Sequence, residues 1–160
     1  PTTPPFVVGI TGYTPGIECL HEVLDAAREV GGTVCHLGTP LTFDQDITRS
    51  VTNLTDTELT QWYANCRYVS ALRRVEGFEL PAAEALLSGT RPIMFDRPHY
   101  RQWFAPFAVF IPEQTRAVVT AAVYQVLNVE PTPISAEERA TIAERFNWRT
   151  IAREYWHRCL

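Results

Sequence analysis

Two glutamates, Glu76 and Glu84, stand eight positions apart in EGFELPAAEALLSGTRPI, residues 76–93. Between them Pro81 opens a helix, because its fixed φ suits the first turn, where a missing N–H costs nothing. Gly89 ends that helix, and the apolar run RPIMF (91–95) follows as a buried strand. A helix start carries unpaired N–H groups and about half a positive charge, and so binds phosphate. Here the outward-facing amides are expected from Phe78 to Ala83. Helical side chains lean toward the N-terminus, so the Glu84 carboxylate reaches the same space, with Glu76 across the loop. A carboxylate has two acceptor oxygens, which suit a pair of vicinal hydroxyls. Amides for a diphosphate, flanked by one carboxylate for hydroxyls on each side, make the layout of a nucleotide-sugar site. The plainer reading is two solvated charges that the helix dipole favours anyway.

The elements that must position this loop alternate. FVVGI (6–10), TVCHLG (33–38), RYVSAL (67–72), RPIMF (91–95) and AVFIP (108–112) read as short buried strands. Thr14 and Pro15 make an N-cap and first-turn pair for a helix carrying Ile17, Leu20, Leu24, Ala27 and Val30, stopped by Gly31-Gly32. Residues 39–50 are polar and ambiguous, and Val51-Thr52 is a candidate short strand. Thr55 and Glu58 have capping-box spacing, with Leu59, Trp62, Tyr63 and Cys66 on one face behind them. Residues 96–107 read as an aromatic-rich loop. Val118 to Leu127 mark a helix, and the Ser135–Glu138 capping box opens two more, near 136–145 and 148–158. The fold class is therefore α/β: a Rossmann-like parallel sheet with helices on both faces. Ligands in such sheets bind beyond the carboxyl ends of the strands, which singles out loops 11–16, 38–50, 73–80 and 96–104.

Composition sets the outer bounds. The 160 residues suit one domain, expected over 6–160, with PTTPP (1–5) as a linker-like tail of something longer. Hydrophobic residues make up 46%, enough for a core, but no apolar run approaches a membrane span. The net charge of −4 argues against a nucleic-acid surface. Every one of the 14 cationic residues is Arg, so any cationic phosphate contact must come from arginine. Cys19, Cys35, Cys66 and Cys159 are scattered without a CxxC. With no signal-peptide pattern at the first residues, free thiols and a cytoplasmic setting are expected. Cys19-Leu20-His21 and His157-Arg158-Cys159 are poor chelates, since i and i+2 diverge on a helix, and no metal is expected.

The quoted stretch resembles the E-x7-E motif of retaining glycosyltransferases of GT-B fold, the family 4-like group that includes glycogen synthases and many mannosyl- and glucosyltransferases. LTDTELTQWYANCRYVSAL (54–72) and FNWRTIAREYWHRCL (146–160) also resemble the family's patterns, so the likeness covers most of residues 51–160. It implies the C-terminal, donor-binding half of a two-domain enzyme, with the N-terminal acceptor-binding half separate or missing. It implies a UDP-, GDP- or ADP-linked sugar, transferred with retention and without a metal cofactor. Glu76 then matches the catalytic-site glutamate that contacts the donor sugar. Gly77, Phe78, Glu79 and Leu80 match the loop that holds sugar and phosphate, and Glu84 matches the ribose-binding glutamate. Two departures stand out. Glu79 replaces a usual Gly, adding a negative charge that reads as a surface one. The family's basic pair after the first strand is absent from GITGYTPGIE (9–18), leaving Arg73, Arg74, Arg97 or Arg101 to neutralise the diphosphate.

Other residues are weighed beside these. Gly9, Gly12 and Gly16 form GxxGxxxG, neither a dinucleotide fingerprint nor a P-loop, and turn or packing roles suit them. Gly12, Tyr13 and His99 are candidates for the cleft, with a surface role open for His99. Arg73-Arg74 reads equally as a phosphate clamp or as ion-paired surface. Tyr100, Trp103, Phe104 and Phe107 read as packing. Asn53-Leu54-Thr55 matches a glycosylation sequon but reads as a strand-to-helix turn. Tyr155 and Trp156 would suit a face for a partner half. A non-catalytic module that kept the fold is the alternative function, and a Cys–His hydrolase ranks last, since no GxSxG elbow is present.

Overall fold

The computed structural model describes residues 4–12 and 14–159, with the side chains of residues 155, 156, 158 and 159 outside that description. Tyr13 and the Tyr155/Trp156 patch therefore lie outside the described residues. Six parallel strands form one sheet in the order β3-β2-β1-β4-β5-β6. They are β1 (Phe6–Thr11), β2 (Val34–Leu37), β3 (Thr48–Val51), β4 (Cys66–Ala71), β5 (Arg91–Phe95) and β6 (Val109–Ile111). The register sets Val8 against Val34 on one side and Tyr68 on the other. The strand order reverses between β1 and β4, so the loops after these two strands diverge and leave a crevice.

Side-chain alternation divides the core. Val8, Ile10, Tyr68, Ile93 and Phe95 face one layer, where α1 (Leu20–Glu29) and α5 (Arg116–Leu127) pack. Val69, Ala71 and Met94 face the other. There α2 (Asp56–Ala64), α3 (Leu80–Leu87), α4 (Pro98–Phe104) and α6 (Ala136–Arg145) supply Trp62, Tyr63, Ala82, Leu86, Tyr100, Phe104 and Ile142. The last helix is α7 (Trp148–Cys159). Both capping boxes form: Thr55 with Glu58, and Ser135 with Glu138.

The structure departs from the expected elements in four places. α1 begins at Leu20, not near Thr14. Glu18 turns back to accept from the Thr14 amide at 2.6 Å, and buried Cys19 adopts φ 53, which no continuous helix accommodates. Residues 98–104 are a helix, not a loop: Pro98 sits in its first turn, and Tyr100 and Phe104, spaced i and i+4, are both buried. The third strand is Thr48–Val51, an edge strand with a single apolar residue, so its pattern is weak. Cys66 opens β4 instead of closing the α2 face.

Candidate functional site

At the crevice between β1 and β4 lies a hollow of about 300 Å³ lined by Thr11, Gly12, Glu18, Leu37, Leu59, Tyr63, Arg73, Pro81 and Glu84. Each lining group has a local cause. On α3, Ala82, Ala83, Ala85 and Leu86 are buried, which turns Glu84 outward into the hollow. The Tyr63 hydroxyl donates to Glu84 Oε2 at 2.8 Å. Tyr63 is 1% exposed, and burial, then its hydrogen bond to the Glu84 carboxylate, raises its pKa, so it remains a donor. Gly12 has φ +126, and a Cβ there would stand 2.4 Å from the Glu18 carboxyl carbon. Only glycine fits that turn. The Gly12 carbonyl accepts from His36 Nε2 at 2.8 Å, with Ser50 Oγ 3.2 Å from Nδ1. His36 is thus a satisfied buried histidine that braces the loop.

Adjacent arginines diverge. Arg73 lines the hollow: Nη2 donates to Thr11 Oγ1 at 3.2 Å, while Glu76 and Glu79 lie at 3.6 Å and 3.7 Å. Arg74 turns away to Glu22 at 3.2 Å and to the ring of Phe95, and is not part of the hollow. Arg97 is held by both oxygens of Glu113 at 2.7 Å, and Arg101 by Asp96. Of the four arginines considered for a diphosphate, only Arg73 faces this space.

The loop amides are fewer than expected. Glu76 Oε1 takes the Gly77 amide at 2.9 Å. Leu80 donates to the Phe78 carbonyl, Ala82 and Ala83 to that of Glu79, and Pro81 has no N–H. The amides of Phe78 and Glu79 make no hydrogen bond among the described residues. Phe78 is anchored by its ring, which packs edge-on against Trp103 and Trp148 at 5.6 and 5.4 Å. Leu80 is half-exposed at the rim. Glu76 reaches the hollow through Arg73 and is not itself among the lining residues.

Glu79 overturns the surface expectation. It is 0% exposed, and neither carboxylate oxygen has a hydrogen-bond partner. It occupies the N-cap position of α3 at φ −83, ψ 88 without capping, its side chain directed inward. Burial pushes its pKa up to about 7, against the opposing pull of Arg73. His99 is exposed, as its surface reading has it, but it lies on α4 and not in a loop, its ring tilted against Tyr100 at 4.2 Å, and it is not among the residues lining the hollow. Tyr100, Phe104 and Phe107 are core, as read from sequence. Glu18, Tyr63 and Thr11 were not anticipated as lining groups, although Glu18 lies in the segment after the first strand, where basic residues were sought.

The thiols bear on catalysis. Cys19, Cys35 and Cys66 are free and buried. Desolvation pushes Cys19 up to about 12 and Cys35 to about 11, and raises Cys66 as well. None of the three supplies a thiolate near neutral pH.

No protein-family model matches the chain, and no curated protein matches its sequence. Solved structures do match. Sucrose-phosphate synthase from Thermosynechococcus elongatus is 16% identical with a TM-score of 0.74, over 94% of this chain and 44% of that one. HepE from Anabaena, solved with UDP and glucose, is 16% identical with a TM-score of 0.73, over 98% and 48%. AviGT4, a glycosyltransferase of avilamycin A biosynthesis, is 15% identical with a TM-score of 0.68, over 96% and 50%. The likeness shows the fold: a six-stranded, Rossmann-like parallel sheet flanked by helices. The chain spans about half the length of these matches or less. Among the described residues no helix is long and apolar enough to cross a membrane.

Proposed function

We propose that the chain is the donor-binding half of a glycosyltransferase, recognising a nucleotide-diphosphate sugar. The observation that carries this reading is the meeting of Glu84 and Arg73 in one hollow at the strand-order reversal. The unpaired amides of Phe78 and Glu79 stand in the same loop. In this reading Glu84, oriented by Tyr63, binds the ribose hydroxyls. Arg73 and the two amides hold the diphosphate, and Glu76, steadied by the Gly77 amide, faces the sugar. The resemblance of the E-x7-E stretch supports a retaining, metal-independent hexosyltransfer that requires an acceptor-binding half. HepE, matched in fold, is solved with UDP and glucose, which favours UDP over GDP or ADP as the first base to try. Buried free thiols suit a reducing, cytoplasmic setting.

A second reading has its own observation. Glu18 folds over Gly12, so Glu18, Glu76, Glu79 and Glu84 surround a single arginine. Such a site repels a diphosphate, and a fold that had lost chemistry would carry it. A thermal-shift screen with UDP-, GDP- and ADP-sugars separates the two. A ligand at 100 times its Kd stabilises the folded chain by about 2.7 kcal/mol. One nucleotide-sugar class raising Tm supports the donor-binding reading, and a flat response to all of them favours the second.

A further inference from the structure

Glu79 is a buried acid with no hydrogen-bond donor, set beside the one arginine that lines the hollow. We propose that Glu79 is a positioning residue that acts through Arg73, governing how much positive charge Arg73 presents to a bound anion by taking up a proton when a diphosphate is held. This rests on the donor-binding reading.

The charges facing Glu79 come from three elements. From its own loop come Arg73, with Nε 3.7 Å from Oε2, and Glu76, 3.6 Å from Arg73 Nη1. From the β5–α4 junction comes Arg97, already matched by Glu113 in a two-pronged pair just beyond β6. From α4 comes the Tyr100 hydroxyl, near enough to favour the charged form of Glu79, although neither carboxylate oxygen has a partner within hydrogen-bond distance. Arg73 is therefore the one nearby cation not already committed to a closer carboxylate. It stands between two carboxylates that together outweigh it.

A diphosphate arriving at Arg73 adds further negative charge. Three responses are open: the anion is rejected, Arg73 abandons a carboxylate, or a carboxylate takes up a proton. Glu79 is the group for which protonation is easiest. A buried carboxylate with no donor at hydrogen-bond distance gains from its charge only the weaker pull of Arg73, Arg97 and the Tyr100 hydroxyl, while the neutral acid is the form that burial favours. With burial holding its pKa up to about 7, the exchange falls in the physiological range. The step is a proton uptake from solvent, one proton per ligand bound above that pKa, with no bond formed to the ligand. The sign follows from linkage. Below the free-state pKa Glu79 is already neutral and affinity is flat; above it, each ligand must recruit a proton and binding weakens.

The experiment is calorimetric titration of UDP-glucose, GDP-mannose and ADP-glucose at pH 6 to 8, since their diester phosphates do not titrate there. The chain and its Glu79→Gln variant are compared. For the native chain, Kd weakens about tenfold between pH 6 and pH 8, and heats in buffers of different ionisation enthalpy report proton uptake at pH 8. Glu79→Gln binds at pH 8 as tightly as the native chain does at pH 6, with no slope. The variant also separates Glu79 from His36, which braces Gly12. In the native chain, ¹³C NMR of the Glu79 carboxyl gives a titration midpoint that moves upward when ligand is added. Binding with a flat profile, an equal slope in the variant, or an unmoved midpoint overturns this proposal and leaves the donor-binding reading standing. Absence of binding by both proteins at every pH overturns both.

Discussion

Arg91 and Arg73 stand at opposite ends of adjacent strands and are used in opposite ways. Arg91 opens β5 at the amino edge of the sheet. Its Nε donates to Thr132 O at 2.6 Å, Nη1 to Phe107 O at 2.9 Å, and Nη2 to both Glu138 oxygens at 2.9 and 3.1 Å. Arg73, beyond the carboxyl edge of β4, makes one hydrogen bond at 3.2 Å, with two carboxylates held off at 3.6 and 3.7 Å. The first arginine ties β5, the loop before β6 and the start of α6 together. The second is aligned but incompletely paired. A groove of about 420 Å³ at the amino edge exceeds the 300 Å³ hollow and is lined by Arg67, Arg91 and Arg139 among prolines. Yet Arg67 and Arg91 already serve backbone carbonyls and acids there. Concavity alone does not mark function; what distinguishes the smaller hollow is an incompletely paired arginine beside Glu84 at the strand-order reversal.

Substitutions can break that comparison. Arg91→Ala has the largest expected effect, a loss of about 3 kcal/mol in urea unfolding, because it strips Glu138 and two carbonyls of a 12% exposed partner. Nucleotide-sugar affinity stays unchanged. Glu79→Gln runs the other way by a similar amount, stabilising the fold by about 3 kcal/mol at pH 8 and little at pH 4.5. The sign is that of a raised acid: the native chain loses stability as pH climbs from the ordinary value near 4.5 through about 7, and glutamine does not. Urea midpoints at the two pH values check it. Arg73→Ala weakens nucleotide-sugar binding about 30-fold, or about 2 kcal/mol, the scale of a charged hydrogen bond. At pH 6, with Glu79 largely neutral, it changes stability by less than about 1 kcal/mol. Glu84→Ala is smaller still, about tenfold on free nucleotide and sugar-linked nucleotide alike. Glu76→Ala is felt only when the sugar is attached. If Arg91→Ala impaired binding as much as Arg73→Ala does, the contrast between the two edges would fail.

Much of this arrangement was legible in the sequence where local patterns decide it. A β-branched run marked β1, short apolar runs marked β4 and β5, and two capping boxes marked α2 and α6. Helical register alone turns Glu84 outward once Ala82, Ala83, Ala85 and Leu86 are recognised as the buried face. The rest depends on packing between distant segments. Nothing local says that Arg73 and Arg74 part company, or that a loop glutamate tucks under the helix it precedes. Tyr63 reads as core from its spacing, and its ring is core, but an amphipathic side chain can be buried along its body and still present a polar tip. The Thr14-Pro15 helix start was misleading because Glu18 caps its own turn and Cys19 takes a left-handed conformation. α4 was hidden because a short helix rich in aromatics lacks a polar face long enough to show a period.

The most direct test of the central claim is a ¹⁵N amide titration of the chain with a UDP-sugar at pH 6. Shifts centred on the Phe78 and Glu79 amides and extending to Gly12, Tyr63 and Glu84 are expected. Saturable shifts centred instead on Arg67, Arg91 and Arg139 at the amino edge, with Phe78 and Glu79 unmoved, would contradict it.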